Sequence, residues 1–259
     1  MSQFFLSLIT GIFIGGAAAY LGSLMLSKRM ALVAGPLGHL ALPGIALALI
    51  YGFDISLGAF SFVILGIILI WFFERKTKLP MEALTAIVFA SGVAIAFFFL
   101  PIDQAEQALV GDISKIQLKE AIFSVILCAI VFIMTEKIYS KMTLINISED
   151  LAKTQKIDVK KYNLIYLLLI ALIVALGVKV VGGLLTAAIV AIPAATSRNL
   201  AKNLVQYKFL ALSFGILSAF GIFLSKLTSL PAGPLIIVVS AFFFLISMIL
   251  KMILNLPQY

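Results

Sequence analysis

The sequence predicts an all-α, polytopic transmembrane bundle of about nine spans, with the N-terminus outside and the C-terminus inside. Three observations predict it. Hydrophobic residues make up 63% of the chain and charged residues 12%, where a soluble domain carries roughly 45–50% and about 25%. The apolar residues come in long runs parted by short charged breaks, and about 20 apolar residues suffice for a helix to cross the bilayer core. The apolar–polar alternation of a membrane β-barrel is absent.

The runs fall at 4–26, 30–51, 56–73, 83–100, 118–136, 162–177, 180–197, 207–225 and 232–254. Lys226 and the turn Pro231-Ala232-Gly233-Pro234 part the last two. The sixth and seventh are parted only by Gly177 to Lys179, which leaves eight to ten spans open. In the first span, Gly11, Gly15, Gly16, Ala17, Ala18, Ala19 and Gly22 form a small-residue face suited to close helix packing, within the bundle or in a dimer. With the N-terminus outside, every Lys and Arg of the 19 except Lys115, Lys119, Lys179 and Lys226 falls in an inward loop. Cytoplasmic loops carry that bias, so the net charge of +8 calls for no nucleic acid. The one cysteine, Cys128, lies in an apolar run and excludes an internal disulfide or a cysteine-cluster metal site. Met1 to Thr10 has no basic residue ahead of its apolar run and is not read as a cleaved signal peptide. Residues 1–259 thus read as a single transmembrane domain, multi-pass in membrane lipid.

Three segments depart from ordinary spans. In the first, Ala34-Gly35-Pro36-Leu37-Gly38-His39-Leu40-Ala41-Leu42-Pro43-Gly44, glycines and prolines interrupt an apolar helix. Pro43 has no N–H for the carbonyl of His39, and irregular backbone at membrane depth belongs against protein or a water-filled cavity. A span starting near Met30 puts His39, the only histidine, roughly 14 Å in, near the midplane. An ionisable residue there is a candidate functional group; a neutral histidine bonded to a neighbouring helix is the structural alternative. The second runs from Val181-Gly182-Gly183 to Ile192-Pro193-Ala194-Ala195-Thr196-Ser197-Arg198, a span expected to be broken at Pro193. Its Ala191–Thr196 stretch is locally like Ala41–Ala46, and proline-broken spans in two halves point to a transporter core. The third is the loop 137–161. There Asn146 or Ser148 is a candidate helix cap and Glu149 and Asp150 suit a first turn. Ile147, Leu151 and Ala152 are expected on one apolar face, able to plug into a soluble partner. The outer loop 101–118 carries Asp103, Glu106 and Asp112, either a solvated loop or an attractor of cations.

At these places the chain resembles the metal-ion permeases of ATP-binding-cassette importers, which serve zinc, manganese and iron uptake. The matching residues are Gly38-His39-Leu40-Ala41-Leu42-Pro43-Gly44-Ile45-Ala46-Leu47-Ala48, Glu82 to Phe89, Gly111-Asp112-Ile113, Glu149-Asp150-Leu151-Ala152, and Val181 to Leu185 with Ile192 to Arg198. They occur in the family's order over nearly the whole chain. The resemblance implies a homodimeric permease in the inner (cytoplasmic) membrane. It implies docking of separate ATPase subunits on the loop 146–158 through Glu149, Asp150, Leu151 and Ala152, and delivery by an extracytoplasmic solute-binding protein. It also implies His39 as a metal contact, with Gly35, Pro36, Gly38, Pro43, Gly44 and Pro193 shaping the helix breaks and the translocation path. A divalent ion is the expected cargo, and no tightly bound cofactor is expected. The chain has no Gly-x-x-x-x-Gly-Lys-Ser/Thr loop, so the ATPase is another chain.

Three positions depart from the family. Its aspartate four residues before the histidine is Gly35, its serine before the histidine is Gly38, and its late coupling-loop glycine is Lys156. A divalent ion wants anionic oxygen beside imidazole. Either another acid supplies it, or the metal passes weakly, or the cargo is not a bare metal. A secondary transporter or channel is the competing class. It needs no docking loop and would bury more ionisable groups along its path. An enzyme is disfavoured, since no histidine pair, Cys/His pair or serine–histidine arrangement is evident.

Overall fold

The computed structural model describes residues 3–28, 30, 33–53, 55–77, 79–99, 113, 116–183 and 185–254. Among them the regular structure is all helical, with no strand. The order is α1 (Gln3–Ser27), α2 (Ala34–His39), α3 (Ala41–Tyr51), α4 (Ile55–Thr77), α5 (Met81–Phe97), α6 (Leu118–Ile147), α7 (Glu149–Thr154), α8 (Val159–Val181), α9 (Thr186–Leu200), α10 (Leu204–Ser218), α11 (Phe220–Thr228) and α12 (Ala232–Ile253). By length and composition six segments can cross a membrane: Gln3–Ser27, Leu57–Thr77, Leu118–Ile147, Val159–Val178, Leu204–Thr228 and Ala232–Ile253. Ala34–Ala48 and Met81–Phe97 are shorter apolar helices.

Helix α1 is the centre of one group, packed against α6, α9 and α10. Its small-residue face serves that packing: a Cβ on Gly15 would stand 2.3 Å from the Gly215 carbonyl oxygen, so the α1 and α10 backbones touch. Helices α3, α4 and α5 pack on one another as a second group, and α8 joins the two by lying against α1, α4 and α6. Several hydroxyls inside the helices turn back on their own backbone. Thr85 bonds the Met81 carbonyl at 2.7 Å, Ser218 that of Gly215 at 2.6 Å and Ser240 that of Ile236 at 2.8 Å. In an apolar medium such bonds remove the cost of an unpaired hydroxyl.

Three expected boundaries are corrected. The sixth run does not stop at Gly177: α8 continues to Val181 and turns at Gly182, whose φ is 87°. At Gly182 the backbone enters the positive-φ half of conformational space that glycine tolerates. The following helix is therefore short, 15 residues. Pro193 does not break it. Helix α9 runs through Pro193, with Thr196 bonding the Ile192 carbonyl at 2.8 Å and Ser197 the Pro193 carbonyl at 2.6 Å. Both bonds lie C-terminal to the Ile189 carbonyl, the one whose N–H partner Pro193 lacks. Finally, α6 has 30 residues, about 45 Å of helix. It outruns the expected end at 136 and carries α7 at its tip.

Candidate functional site

The interrupted segment is two helices meeting at Leu40, whose φ and ψ are −63° and −11°. Both prolines sit third in their helix, Pro36 in α2 and Pro43 in α3. The first turn leaves its N–H groups without intrahelical partners, so proline is tolerated there. The break thus precedes Pro43 rather than falling at it. Leu40 fills the corner: a Cβ on Gly66 of α4 would meet its side chain at 2.6 Å, and one on Gly92 of α5 at 2.7 Å. Gly44 closes the α3–α4 crossing, where its Cβ would stand 2.0 Å from the Gly58 carbonyl oxygen.

His39 ends α2. It is half-buried, and its ring lies 5.5 Å from that of Phe89 on α5, tilted by 42°. Among the described residues no three of His, Cys, Asp and Glu converge as a metal-holding group. Gly35 and Gly38 face the second singled-out segment. The nearest atom to a Cβ on Gly35 is the Ala187 methyl at 3.3 Å, and a Cβ on Gly38 would stand 2.6 Å from the Gly183 carbonyl oxygen. Helix α2 therefore rests on the α8–α9 connection and on α9, as its packing against both helices confirms. The two stretches expected to shape a pathway are brought together, with Pro193 buried further along α9.

The third segment is a short helix with complete caps. Ser148, rather than Asn146, caps α7: its Oγ accepts from the Leu151 N–H at 3.2 Å. Asn146 still belongs to α6. Glu149 and Asp150 occupy the first turn, favourable to the helix dipole. Asp150 pairs with Lys153 at 3.0 Å and holds that ammonium above its ordinary pKa through the hydrogen bond. The helix ends in a Schellman motif, the Ile157 N–H bonding the Ala152 carbonyl at 3.0 Å and the Lys156 N–H that of Lys153 at 2.9 Å. Lys156 takes the left-handed position, φ 60°. The expected face is corrected in one member: Ala152 is fully buried against the bundle, while Ile147 and Leu151 point outward, 74% and 46% exposed. Ile147 is the last residue of α6 and Leu151 belongs to α7, with the extended Ser148 between them.

Two clusters went unread in the sequence. Glu136 of α6 accepts from the Tyr20 hydroxyl of α1 and pairs with Lys208 of α10 at 2.8 Å. Ser23 and Tyr139 share a hydrogen bond at 2.9 Å, and the Tyr207 hydroxyl donates to the Ser23 carbonyl at 3.2 Å. A tyrosine and a glutamate in apolar helices were the available signal. The second cluster gathers at Lys28, whose Nζ donates to Asn163 Oδ1 at 2.9 Å and lies 5.3 Å from the Tyr166 ring centroid. Arg29, Lys78, Asp103, Glu106, Gly111, Asp112, Lys115 and Leu184 lie outside the described residues.

The profile of the ABC 3 transport family matches residues 2–251. The chain is 28% identical over 246 residues to the "Manganese import system permease protein ScaB" of Streptococcus parasanguinis, covering 93% of this chain and 88% of that protein. It is 29% identical over 254 residues to the "High-affinity zinc uptake system membrane protein ZnuB" of Haemophilus influenzae, covering 94% and 96%. In structure it is similar to PsaBC from Streptococcus pneumoniae in complex with Fab, with a TM-score of 0.81 and 26% identity over 96% of this chain and 91% of that one.

Proposed function

The chain belongs to the ABC 3 transport family, and from that premise we propose that it is the membrane permease of an ATP-driven importer of a divalent metal ion. Relatives named as manganese and zinc permeases cover nearly the whole chain. The observation that carries the reading is α7: a capped helix at the tip of α6 that presents Leu151 outward, close to the exposed Ile147 at the end of α6, with acidic residues in its first turn. A soluble ATPase can seat such a face in a groove. The permease works as a homodimer in the inner membrane, with a solute-binding protein delivering metal to the opposite side.

The topology we infer is nine spans, N-out and C-in, with α2–α3, α9 and α10–α11 each counted as one. Contacts support it. Lys28 bonds Asn163, so the end of α1 lies on the side of the α8 start, and Asn199 bonds Ser247 at 3.0 Å, so the ends of α9 and α12 share a side. Lys226 lies 4.3 Å from the Phe4 ring centroid, and Ser7 bonds the Ile113 carbonyl at 2.8 Å, on the other side. His39 is the proposed transient contact for the ion in this reading. An imidazole without a described carboxylate suits zinc better than manganese.

The test is reconstitution in liposomes with the partner ATPase and binding protein. ATP-dependent uptake of zinc or manganese is expected, and uptake that proceeds without ATPase would assign the chain to a secondary transporter or channel. A cysteine at Lys153 is expected to resist labelling from outside intact cells; efficient labelling there would invert the topology.

A further inference from the structure

Helix α6 carries one surface that the bundle does not cover. Ile126, Ile130, Ile133, Lys137 and Lys141 recur at spacings of four, three, four and four residues, and all five are exposed. At 3.6 residues per turn they fall within about 80° of the helix circumference. The face is apolar over its first three members and cationic over its last two. Depth accounts for the change. At 1.5 Å per residue Lys137 lies about 29 Å along the axis from Leu118, and Lys141 about 35 Å. The hydrocarbon core of a bilayer is about 30 Å thick, with the headgroup layer beyond it.

The two ammonium groups are open to an anion. Glu136 precedes Lys137 but stands about 100° away around the helix, where it pairs with Lys208 at 2.8 Å. Helix α8 holds Lys141 in place: its Nζ donates to the Tyr162 hydroxyl at 2.5 Å and lies 4.8 Å from that ring's centroid. One of its three donors is spent there, leaving two. Among the described residues neither Lys137 nor Lys141 forms an ion pair. Lys160 and Lys161, exposed just before Tyr162, add charge of the same sign. The Asp158 carboxylate accepts from the Lys161 N–H at 3.1 Å as the α8 cap.

We propose that this face of α6, with Tyr162 at its edge, binds an anionic phospholipid, its acyl chains along the isoleucines and its phosphate between Lys137 and Lys141. Basic residues just beyond a spanning helix attract anionic headgroups, and here they continue an apolar stripe on the same helix face. A soluble partner can reach the lysines but not the isoleucines below them in the hydrocarbon. A second copy seated symmetrically on this face would set lysine against lysine. The site needs neither the cargo nor the ATPase, so it stands apart from the transport reading.

The experiment is native mass spectrometry of the complete chain in detergent, with equimolar phosphatidylglycerol and phosphatidylcholine of identical acyl chains, reading the ratio of the lipids retained. Wild type is expected to favour phosphatidylglycerol at least threefold. Lys137→Gln/Lys141→Gln is expected to lose at least half of that preference, and Lys202→Gln/Lys251→Gln, toward the ends of α9 and α12, to keep it. Equal retention of the two lipids by wild type, an undiminished preference in the first variant, or an equal loss in the second overturns the proposal. Inorganic phosphate in excess is expected to leave the ratio unchanged; abolition of the preference by phosphate would make this a free-anion site and overturn the lipid assignment. If the double variant does not accumulate, Lys137→Gln alone carries the test: at least a third of the preference is expected to go, and a wild-type ratio overturns the proposal. Loss of ATPase co-purification in the double variant, with its lipid preference intact, would give the face to the soluble partner instead.

Discussion

A methyl group added to Gly38 would stand 2.6 Å from the carbonyl oxygen of Gly183, so α2 and the α8–α9 connection meet backbone to backbone. Neither partner can move away as a flexible side chain would. Gly38→Ala is expected to destabilise the permease by about 1–3 kcal/mol, the usual cost of overpacking. Gly35→Ala, facing only the Ala187 methyl at 3.3 Å, is expected to cost less than half as much. Apparent Tm of the two purified variants checks the order; equal shifts would contradict the contact.

Removal of the His39 imidazole separates its two readings. The ring is half-buried beside Phe89, so His39→Ala leaves a modest gap and is expected to lower apparent Tm by only a few degrees, roughly 1–2 kcal/mol. Uptake of zinc by the reconstituted complex is expected to fall more than tenfold. Wild-type uptake would make His39 a packing residue. Gly35 lies within α2 and its φ is not positive, so Gly35→Asp strains no backbone, and the variant is expected to retain metal more tightly in equilibrium dialysis.

Two adjacent substitutions in α7 are expected to act differently. Leu151 is 46% exposed and Ala152 fully buried. Leu151→Asp is expected to abolish ATPase co-purification with little change in apparent Tm, because it puts an unpaired charge into the docking contact. Ala152→Leu is expected to lower apparent Tm, by about 1–3 kcal/mol of overpacking against the bundle. Pull-down and thermal unfolding of both proteins check this, and a reversed pattern would mean that α7 presents another face.

Lys156 closes α7 in the left-handed region, φ 60°, where a residue with a Cβ pays roughly 1 kcal/mol relative to glycine. Lys156→Gly is therefore expected to raise apparent Tm by about 2 °C and leave uptake unchanged. A drop in Tm would show that the lysine side chain contributes more than its backbone strain costs.

The all-helical class and the order of the apolar helices were legible because each depends on local composition. Runs of apolar residues, their charged breaks and the candidate cap at Asn146 or Ser148 are read one segment at a time. The resemblance through His39, Pro43 and the Glu149–Ala152 stretch was legible for the same reason. The expected break at Pro193 was not, since whether a helix continues through proline depends on its tertiary packing. Here α9 runs on through Pro193 while packed against α1, α10 and α12. The end of α8 was likewise misread at Gly177. That glycine serves a close approach to the Thr186 side chain, 2.9 Å from its built Cβ, while the turn falls at Gly182.

By itself the sequence determined that the chain is a membrane-spanning α bundle, and it singled out one histidine segment and one loop with a candidate helix cap as departures from ordinary spans. Those properties follow from hydropathy and from hydrogen bonds that close within a few residues. Only the tertiary structure decided that Ala152 turns inward while Leu151 turns out, that Gly38 meets Gly183, and that Lys28 meets Asn163. Contacts between residues far apart in sequence depend on helix rotation and crossing, and those are set by the packing of small residues across interfaces rather than by any local pattern.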